Sequence, residues 1–227
     1  MSYNPVSHVI FDLDGLLLDT ETLYSIAIGE IVARYNAEYN FSVKQKVMGK
    51  SQLEACQIII DHYKMPLLAE EFLDELEKSF ETLFPKSKLM PGSERLVRHL
   101  NQHNIPIAVC TGSNASYYNM KTSSHKELFG LFSHSVCTPD DPEVKLSKPA
   151  PDPFLVTASR FKPPPKSMKE VLVFEDAPNG VRSAINAGMQ VVLVPDPRLT
   201  GSALNEATLV IPSLQEFKPE QFGLPAF

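Results

Sequence analysis

Short, nearly unbroken apolar runs punctuate the chain, and several lead straight into polar residues. They are Val6 to Phe11, Ile105 to Cys110, Phe132 to Cys137, Glu170 to Phe174 and Gln190 to Val194, with a weaker run at Thr208 to Ile211. A strand with one wet face alternates apolar and polar residues. Runs without that alternation suit strands covered on both faces, as in a parallel sheet. From Ser93 onward the runs alternate with helical patterns, and Glu94 to His103 places Leu96, Val97 and Leu100 on one side. Asp152 and Pro153 read as an N-cap and a first-turn proline leading into Phe154 to Phe161. Pro178 to Ala187 repeats the device, with Gly188 as its C-terminal cap. The alternation predicts a doubly wound, Rossmann-like α/β core with a mostly parallel sheet.

The interval from Thr20 to Pro85 differs. It has no convincing strand and three helical patterns, Glu21 to Tyr35, Ser51 to Tyr63 and Ala69 to Phe84. The second opens on a Ser51–Glu54 capping box, and the third sets Phe72, Leu73, Leu76, Phe80 and Leu83 among acidic residues. A helical block inserted after the first strand is most simply a cap over the sheet's carboxyl edge, where ligands bind in open α/β folds. The expected division is a core of residues 1–19 and 86–227 and an all-helical cap domain of residues 20–85. The KPPPK stretch, Lys162 to Lys166, reads as a stiff surface linker.

Four strand ends carry the chemistry. Asp12 and Asp14 follow Val9-Ile10-Phe11. If the strand runs on through residue 14, the two carboxylates share a face and repel each other unless a cation holds them or one is protonated. A D-x-D-G turn is the alternative. Thr111 begins Thr-Gly-Ser-Asn, whose hydroxyls and amides suit a phosphate-sized anion or, equally, cap the next helix. Lys148 precedes a proline and is therefore extended; by itself it also reads as a solvated surface charge. Glu175 and Asp176 end a further apolar run, where they need a cation or a solvated turn. Together these residues supply carboxylates, a hydroxyl and an ammonium at one sheet edge. The set suits phosphoryl transfer with Mg²⁺: a hard cation takes carboxylate and carbonyl oxygens, one carboxylate attacks phosphorus, and a second carboxyl handles the proton.

Composition narrows the partners. A net charge of −6 provides no footprint for a nucleic acid polymer or an anionic membrane surface. The apolar runs fall short of the roughly 18 residues that a membrane span needs. The N-terminal MSYNPVSH lacks the basic start and apolar middle of a secretory signal. Cys56, Cys110 and Cys137 are an odd count with no CxxC pair, which predicts free, mostly buried thiols in a reducing compartment. The expectation is a cytoplasmic enzyme acting as a monomer on a small phosphorylated metabolite. Paired acids followed by a distant phosphoacceptor would define a signalling receiver domain instead, but here D-x-D lies on one strand. No cysteine has an arginine six positions later, as a thiol phosphatase would require.

FDLDG, CTGS, SKPAPD and FEDAPNG, in that order, resemble the four motifs of haloacid dehalogenase-like hydrolases and span nearly the whole chain. The resemblance implies that Asp12 is a nucleophile forming an aspartyl phosphate. It implies that Asp14 is the acid/base, with its backbone carbonyl on Mg²⁺. Thr111 and Lys148 would bind the phosphoryl group, assisted by Gly112 and Ser113. Asp176 would ligate the metal and Glu175 would ligate it or steady its shell. Two departures stand out: Ser147-Lys148 where Gly-Lys is common, and Thr-Gly-Ser where Thr-Ser-Ser is familiar. Lys145 is a rival to Lys148, and the following Pro-x-Pro favours Lys148. FDLDGLLLDTE, VMGKSQLEACQIIID, MKTSSHKELFGLFSH, RFKPPP and the ending FGLP are similar to the animal pseudouridine-5'-phosphatase branch of that family. This likeness implies pseudouridine 5'-phosphate as substrate, with sugar or polyol phosphates such as glycerol phosphate as alternatives, and a phosphosugar mutase as a further one. The cap would choose the substrate, through Thr20 and Glu21 at its hinge and the Met48-Gly49-Lys50 loop.

Overall fold

The computed structural model describes residues 3–47, 50–198 and 203–227. The chain divides into two compact units, Thr20–Ser87 and the combination of Met1–Asp19 with Lys88–Phe227.

The smaller unit contains α1 (Glu21–Ala33), α2 (Phe41–Val47), α3 (Gln52–Tyr63) and α4 (Ala69–Leu83). Helix α4 buries Phe72, Leu76 and Phe80 at four-residue spacing and turns acidic residues outward. Tyr24 of α1 meets the rings of Phe80 and Phe84 edge-on, at 5.0 and 5.3 Å between centroids. Ser51 caps α3 by accepting from the Glu54 amide at 3.4 Å, whereas the Glu54 carboxylate pairs with Lys50 at 2.7 Å. Helix α2 lies outside the three patterns read from the sequence. It has seven residues with only Val43 buried, too few for a periodic signal, and the Asn40 side chain starts it by accepting from the Ser42 amide at 3.1 Å. Met48 and Gly49 lie outside the described residues.

The larger unit is built on six parallel strands, β1 (His8–Phe11), β2 (Ile107–Thr111), β3 (His134–Cys137), β4 (Val171–Glu175), β5 (Gln190–Leu193) and β6 (Leu209–Val210). Their order is β3-β2-β1-β4-β5-β6, with Val9 opposite Ile107 and Leu172. Side chains alternate between two cores. Val9, Phe11, Val109, Leu172, Phe174 and Val192 face one side, packed with Leu96, Val97 and Leu100 of α5 (Ser93–Gln102) and with Phe217 and Phe222 near the C-terminus. Ile10, Ala108, Cys110, Val171, Val173, Val191 and Leu193 face the other. There they meet Phe154 and Ala158 of α8 (Asp152–Ser159) and Val181 and Ala184 of α9 (Pro178–Asn186). Burial on both faces accounts for the missing polar alternation in these strands. Between β2 and β3 run α6 (Ala115–Thr122) and α7 (Lys126–Phe129), and α10 (Ala203–Glu206) precedes β6.

Helix boundaries lie close to those read from periodicity, with one change of role. Asp152 is the first residue of α8 rather than its N-cap, and its carboxylate accepts from the Lys145 and Leu146 amides at 3.2 and 3.1 Å. It fastens the preceding loop instead of its own helix. Gly188 follows α9 with φ +76, the left-handed conformation that suits a glycine past a helix end. The chain leaves and re-enters this unit as a paired ribbon: Met90 N donates to Leu17 O at 2.9 Å and Asp19 N to Lys88 O at 2.8 Å. Among the described residues, no helix is long and apolar enough to cross a membrane.

Candidate active site

The strand order reverses at β1, which lies between β2 and β4, so the carboxyl ends of these strands flank the topological switch point. Every polar station read from the sequence belongs to this edge.

Asp12 follows β1 directly. Its amide donates to Phe174 O at 3.0 Å, extending the ladder with β4 by one residue and setting Asp12 beside Glu175. Both are buried. Lys148 joins them, its Nζ donating to Asp12 Oδ1 at 2.7 Å, Glu175 Oε1 at 2.6 Å and the Cys110 carbonyl at 3.1 Å. The ammonium also stands 4.8 Å from the centre of the Phe154 ring. Helix α9 holds the Lys148 loop: Ser183 Oγ donates to Ala150 O at 2.5 Å and Asn186 Nδ2 to Pro149 O at 3.0 Å. Glu175 Oε2 accepts from the Asp176 and Ala177 amides at 3.2 and 3.4 Å. A Cβ on Gly180 would overlap the Glu175 carboxylate, so glycine is what allows that side chain its position. The rival Lys145 points elsewhere, donating to Pro142 O at 2.6 Å.

Carboxylate oxygens of Asp12, Glu175 and Asp176 lie within 4.8 Å of one another. Two of them, Asp12 and Glu175, are buried and share the Lys148 ammonium. Burial pushes the Asp12 carboxyl up to about 7; Lys148 opposes the rise, and the charges of Glu175 and Asp14 add to it. Burial works against the Lys148 ammonium, but Asp12 and Glu175 outweigh it and hold its pKa well above the ordinary lysine value. A hard divalent cation fits three carboxylates so placed, because the donor set is all oxygen.

Asp14 belongs to a different group. The strand stops at Phe11, and Asp14 sits in a turn in which Leu17 N and Leu18 N both donate to Leu13 O at 3.0 Å, with Gly15 at φ +79. Strand alternation therefore does not place the two carboxylates; the turn gives Asp14 a set of hydrogen-bond partners different from that of Asp12. Asp14 Oδ2 accepts from Ser113 Oγ at 2.8 Å and Thr111 Oγ1 at 3.2 Å, while Oδ1 accepts from Lys121 Nζ at 2.6 Å. Thr111 ends β2 and also accepts from the Ser113 amide at 3.0 Å. Gly112 is exposed.

Lys121 was absent from the residues read out of the sequence. An isolated lysine in Ala-Ser-Tyr-Tyr-Asn-Met-Lys-Thr looks solvated, yet its side chain is wholly buried. A local signal does exist: Asn114, which caps α6, Tyr117 and Lys121 are spaced three and four apart on one helical face. In the helical unit, Thr20 is buried at the start of α1, Glu21 pairs with Lys44 at 2.7 Å and Lys50 with Glu54 at 2.7 Å. Cys110 and Cys56 are buried and Cys137 is partly so; burial pushes all three thiols up to about 11, away from thiolate chemistry.

An open parallel α/β sheet with acids, hydroxyls and lysines at its switch point defines a class of enzymes that work at the strand ends. Within that class, residues 9–194 match the family model described as haloacid dehalogenase-like hydrolase, and the chain belongs to that family. It is 50% identical over 222 residues to a Drosophila melanogaster protein named "Probable pseudouridine-5'-phosphatase", covering 98% of this chain and 96% of that one. It is 51% identical over 224 residues to "(DL)-glycerol-3-phosphatase 2" of Arabidopsis thaliana, covering 98% and 93%. The fold is shared with a family hydrolase from Deinococcus radiodurans, solved with bound phosphate and sodium, at TM-score 0.78 and 19% identity over 98% of this chain and 99% of that one.

Proposed function

We propose that the chain is a Mg²⁺-dependent phosphatase that hydrolyses a small phosphomonoester through an aspartyl phosphate. Pseudouridine 5'-phosphate is the substrate we favour. The observation that carries this reading is the division of labour between neighbouring acids: Asp12 lies with Lys148 and Glu175, and Asp14 lies with Thr111, Ser113 and Lys121.

In the first step an Asp12 oxygen attacks phosphorus while the bond from phosphorus to the leaving oxygen breaks, and Asp14 gives its proton to that oxygen. In the second, Asp14 takes a proton from water as the water oxygen attacks phosphorus, and the Asp12–phosphorus bond breaks to release phosphate. Lys148 and Thr111 offset the phosphoryl charge. The carboxylates of Asp12, Asp176 and Glu175, with the Asp14 carbonyl, would hold Mg²⁺, which supplies charge neutralisation at the phosphoryl oxygens. We assign Gly112 and Ser113 to phosphate binding.

Substrate choice falls to the helical unit, residues 20–85, as a cap, through Thr20, Glu21 and Lys50. Glu21 and Lys50 already hold ion-pair partners within that unit, so binding a substrate exchanges one polar partner for another. The site is read as serving a small metabolite in the cytoplasm, without nucleic acid polymer or membrane, in a monomer. A second substrate, glycerol phosphate, is supported by the 51% identity to the Arabidopsis enzyme.

Phosphate release measured over pseudouridine monophosphate, other nucleotides, glycerol phosphate and sugar phosphates, with and without Mg²⁺, tests the reading. A marked preference for pseudouridine monophosphate is expected. Preference for glycerol phosphate selects the second substrate, and an isomerised sugar phosphate without phosphate release would reveal a mutase. Asp12→Asn should lower turnover roughly 10⁴-fold or more with the fold intact; full activity in that variant would sink the mechanism.

A further inference from the structure

We infer that Lys121 is a positioning residue of the proton-transfer machinery, acting through Asp14 rather than on the substrate. The inference rests on the reading of Asp14 as acid/base given above.

Accessibility separates the two roles. The Lys121 side chain is 0% exposed, whereas that of Asp14 is 20% exposed. Solvent reaches the carboxylate, and the ammonium lies behind it. The hydrogen bonds form a chain with consistent directions. Lys121 Nζ donates to Asp14 Oδ1 at 2.6 Å and to Ser113 Oγ at 2.8 Å, and the Ser113 hydroxyl in turn donates to Asp14 Oδ2 at 2.8 Å. Lysine and serine therefore grip the two oxygens of one carboxylate from the interior side and fix the plane of the carboxyl group. Proton transfer to a leaving oxygen, or from an attacking water, depends steeply on that orientation.

A filler role does not account for the residue. Burying an ammonium costs more than burying a methionine of similar length, and the charge pair is seldom a net gain over an apolar substitute. The ring of Tyr117 lies 5.9 Å from Nζ on the same helical face, and the lysine side chain has no solvent exposure through which a substrate could reach the amine directly. Neither Lys121 nor its spacing from Ser113 enters the motifs that Asp12, Thr111, Lys148 and Asp176 supply.

The test exploits leaving groups. With p-nitrophenyl phosphate the departing phenolate needs no proton, so only the water step depends on Asp14. In Lys121→Met the first-turnover release of nitrophenolate should keep its wild-type rate, followed by a steady state slowed roughly 10- to 100-fold. With an alkyl phosphate both phases should slow. Lys121→Met leaves Asp14 partly buried beside an apolar side chain, so a second comparison guards against misfolding. The double variant Asp14→Asn/Lys121→Met removes both charges, and it should turn over at the rate of Asp14→Asn alone. An unchanged steady state in Lys121→Met, a slowed first turnover with the aryl substrate, or a further loss in the double variant overturns the inference; the last two outcomes would mean direct contact with substrate. Failure of the underlying reading looks different. If Asp14→Asn turns over like wild type, the assignment of Asp14 falls and that of Lys121 with it; if Asp14→Asn is slow and Lys121→Met is not, only Lys121 falls.

Discussion

Asp12 and Asp14 stand two positions apart in the chain, yet their surroundings solve opposite electrostatic problems. Around Asp12, two carboxylates share the Lys148 ammonium and a third, that of Asp176, lies within 4.8 Å of both. Around Asp14, one carboxylate meets the Lys121 ammonium and two hydroxyls. The first gathers three carboxylates that could hold a cation. The second is closed, with each oxygen of the carboxylate already holding a donor. On the proposed mechanism the contrast separates two tasks, with the acids that would hold a metal gathered at Asp12 and the donors that would orient a proton carrier gathered at Asp14.

The contrast can be broken from the metal side first. Asp176→Asn removes one of the three acids and leaves the Asp14 group untouched. The Mg²⁺ concentration for half-maximal phosphate release should rise roughly 10- to 100-fold. A Mg²⁺ titration with no shift would mean that these three carboxylates are not the metal site.

A smaller effect is expected from Gly180→Ala, which crowds Glu175 without changing any charge. Glu175 must move, taking one of Lys148's two carboxylate partners with it. Thermal unfolding should show a loss of about 1–3 kcal/mol, and a Tm equal to wild type would show that the Glu175 pocket yields freely.

The smallest effect sharpens the comparison by moving an ion pair into water. Arg160, its side chain 34% exposed, grips Asp141 through both terminal nitrogens, at 2.5 and 2.9 Å, and the 65% exposed Glu143 at 2.5 Å. Hydrogen bonds from Arg160 lower the Asp141 pKa. A carboxyl lowered in the folded state adds stability above its unfolded pKa, about 3.9. That stability is lost as pH falls through the lower folded value. Asp141→Asn should therefore cost less than about 1 kcal/mol at pH 7. The deficit should hold down to about pH 4 and shrink below it in denaturant titrations. A large loss at pH 7 would show that this surface cluster behaves like the buried ones.

What could be read from the chain follows the range of the interactions concerned. The strands were legible because double-sided burial writes itself as continuous apolar runs, and β1, β2, β4 and β5 each lie within a few residues of such a run. Lys148 was chosen over Lys145 from a local proline pattern, and the structure places its ammonium between Asp12 and Glu175. Helix α2 was hidden because one buried residue in seven sets no period. Asp14's separate company depended on a turn at Gly15 rather than on strand alternation. Lys121 was out of reach for a different reason: its burial is produced by segments far away in sequence, and its own neighbours read as solvated.

The spacing of the partners also bears on how the molecule is made. Lys148 meets Asp12 across 136 positions and Thr111 meets Asp14 across 97. Contacts at such separations form late, because chain closure must be paid before they reward it. Synthesis proceeds from the N-terminus. Strand β1 precedes both β2 and β4 in the chain, so it waits for both of its neighbours. A bare apolar strand is a site for wrong pairing, so the insertion of Thr20–Ser87 between β1 and β2 lengthens the interval during which the nascent chain is most exposed to aggregation.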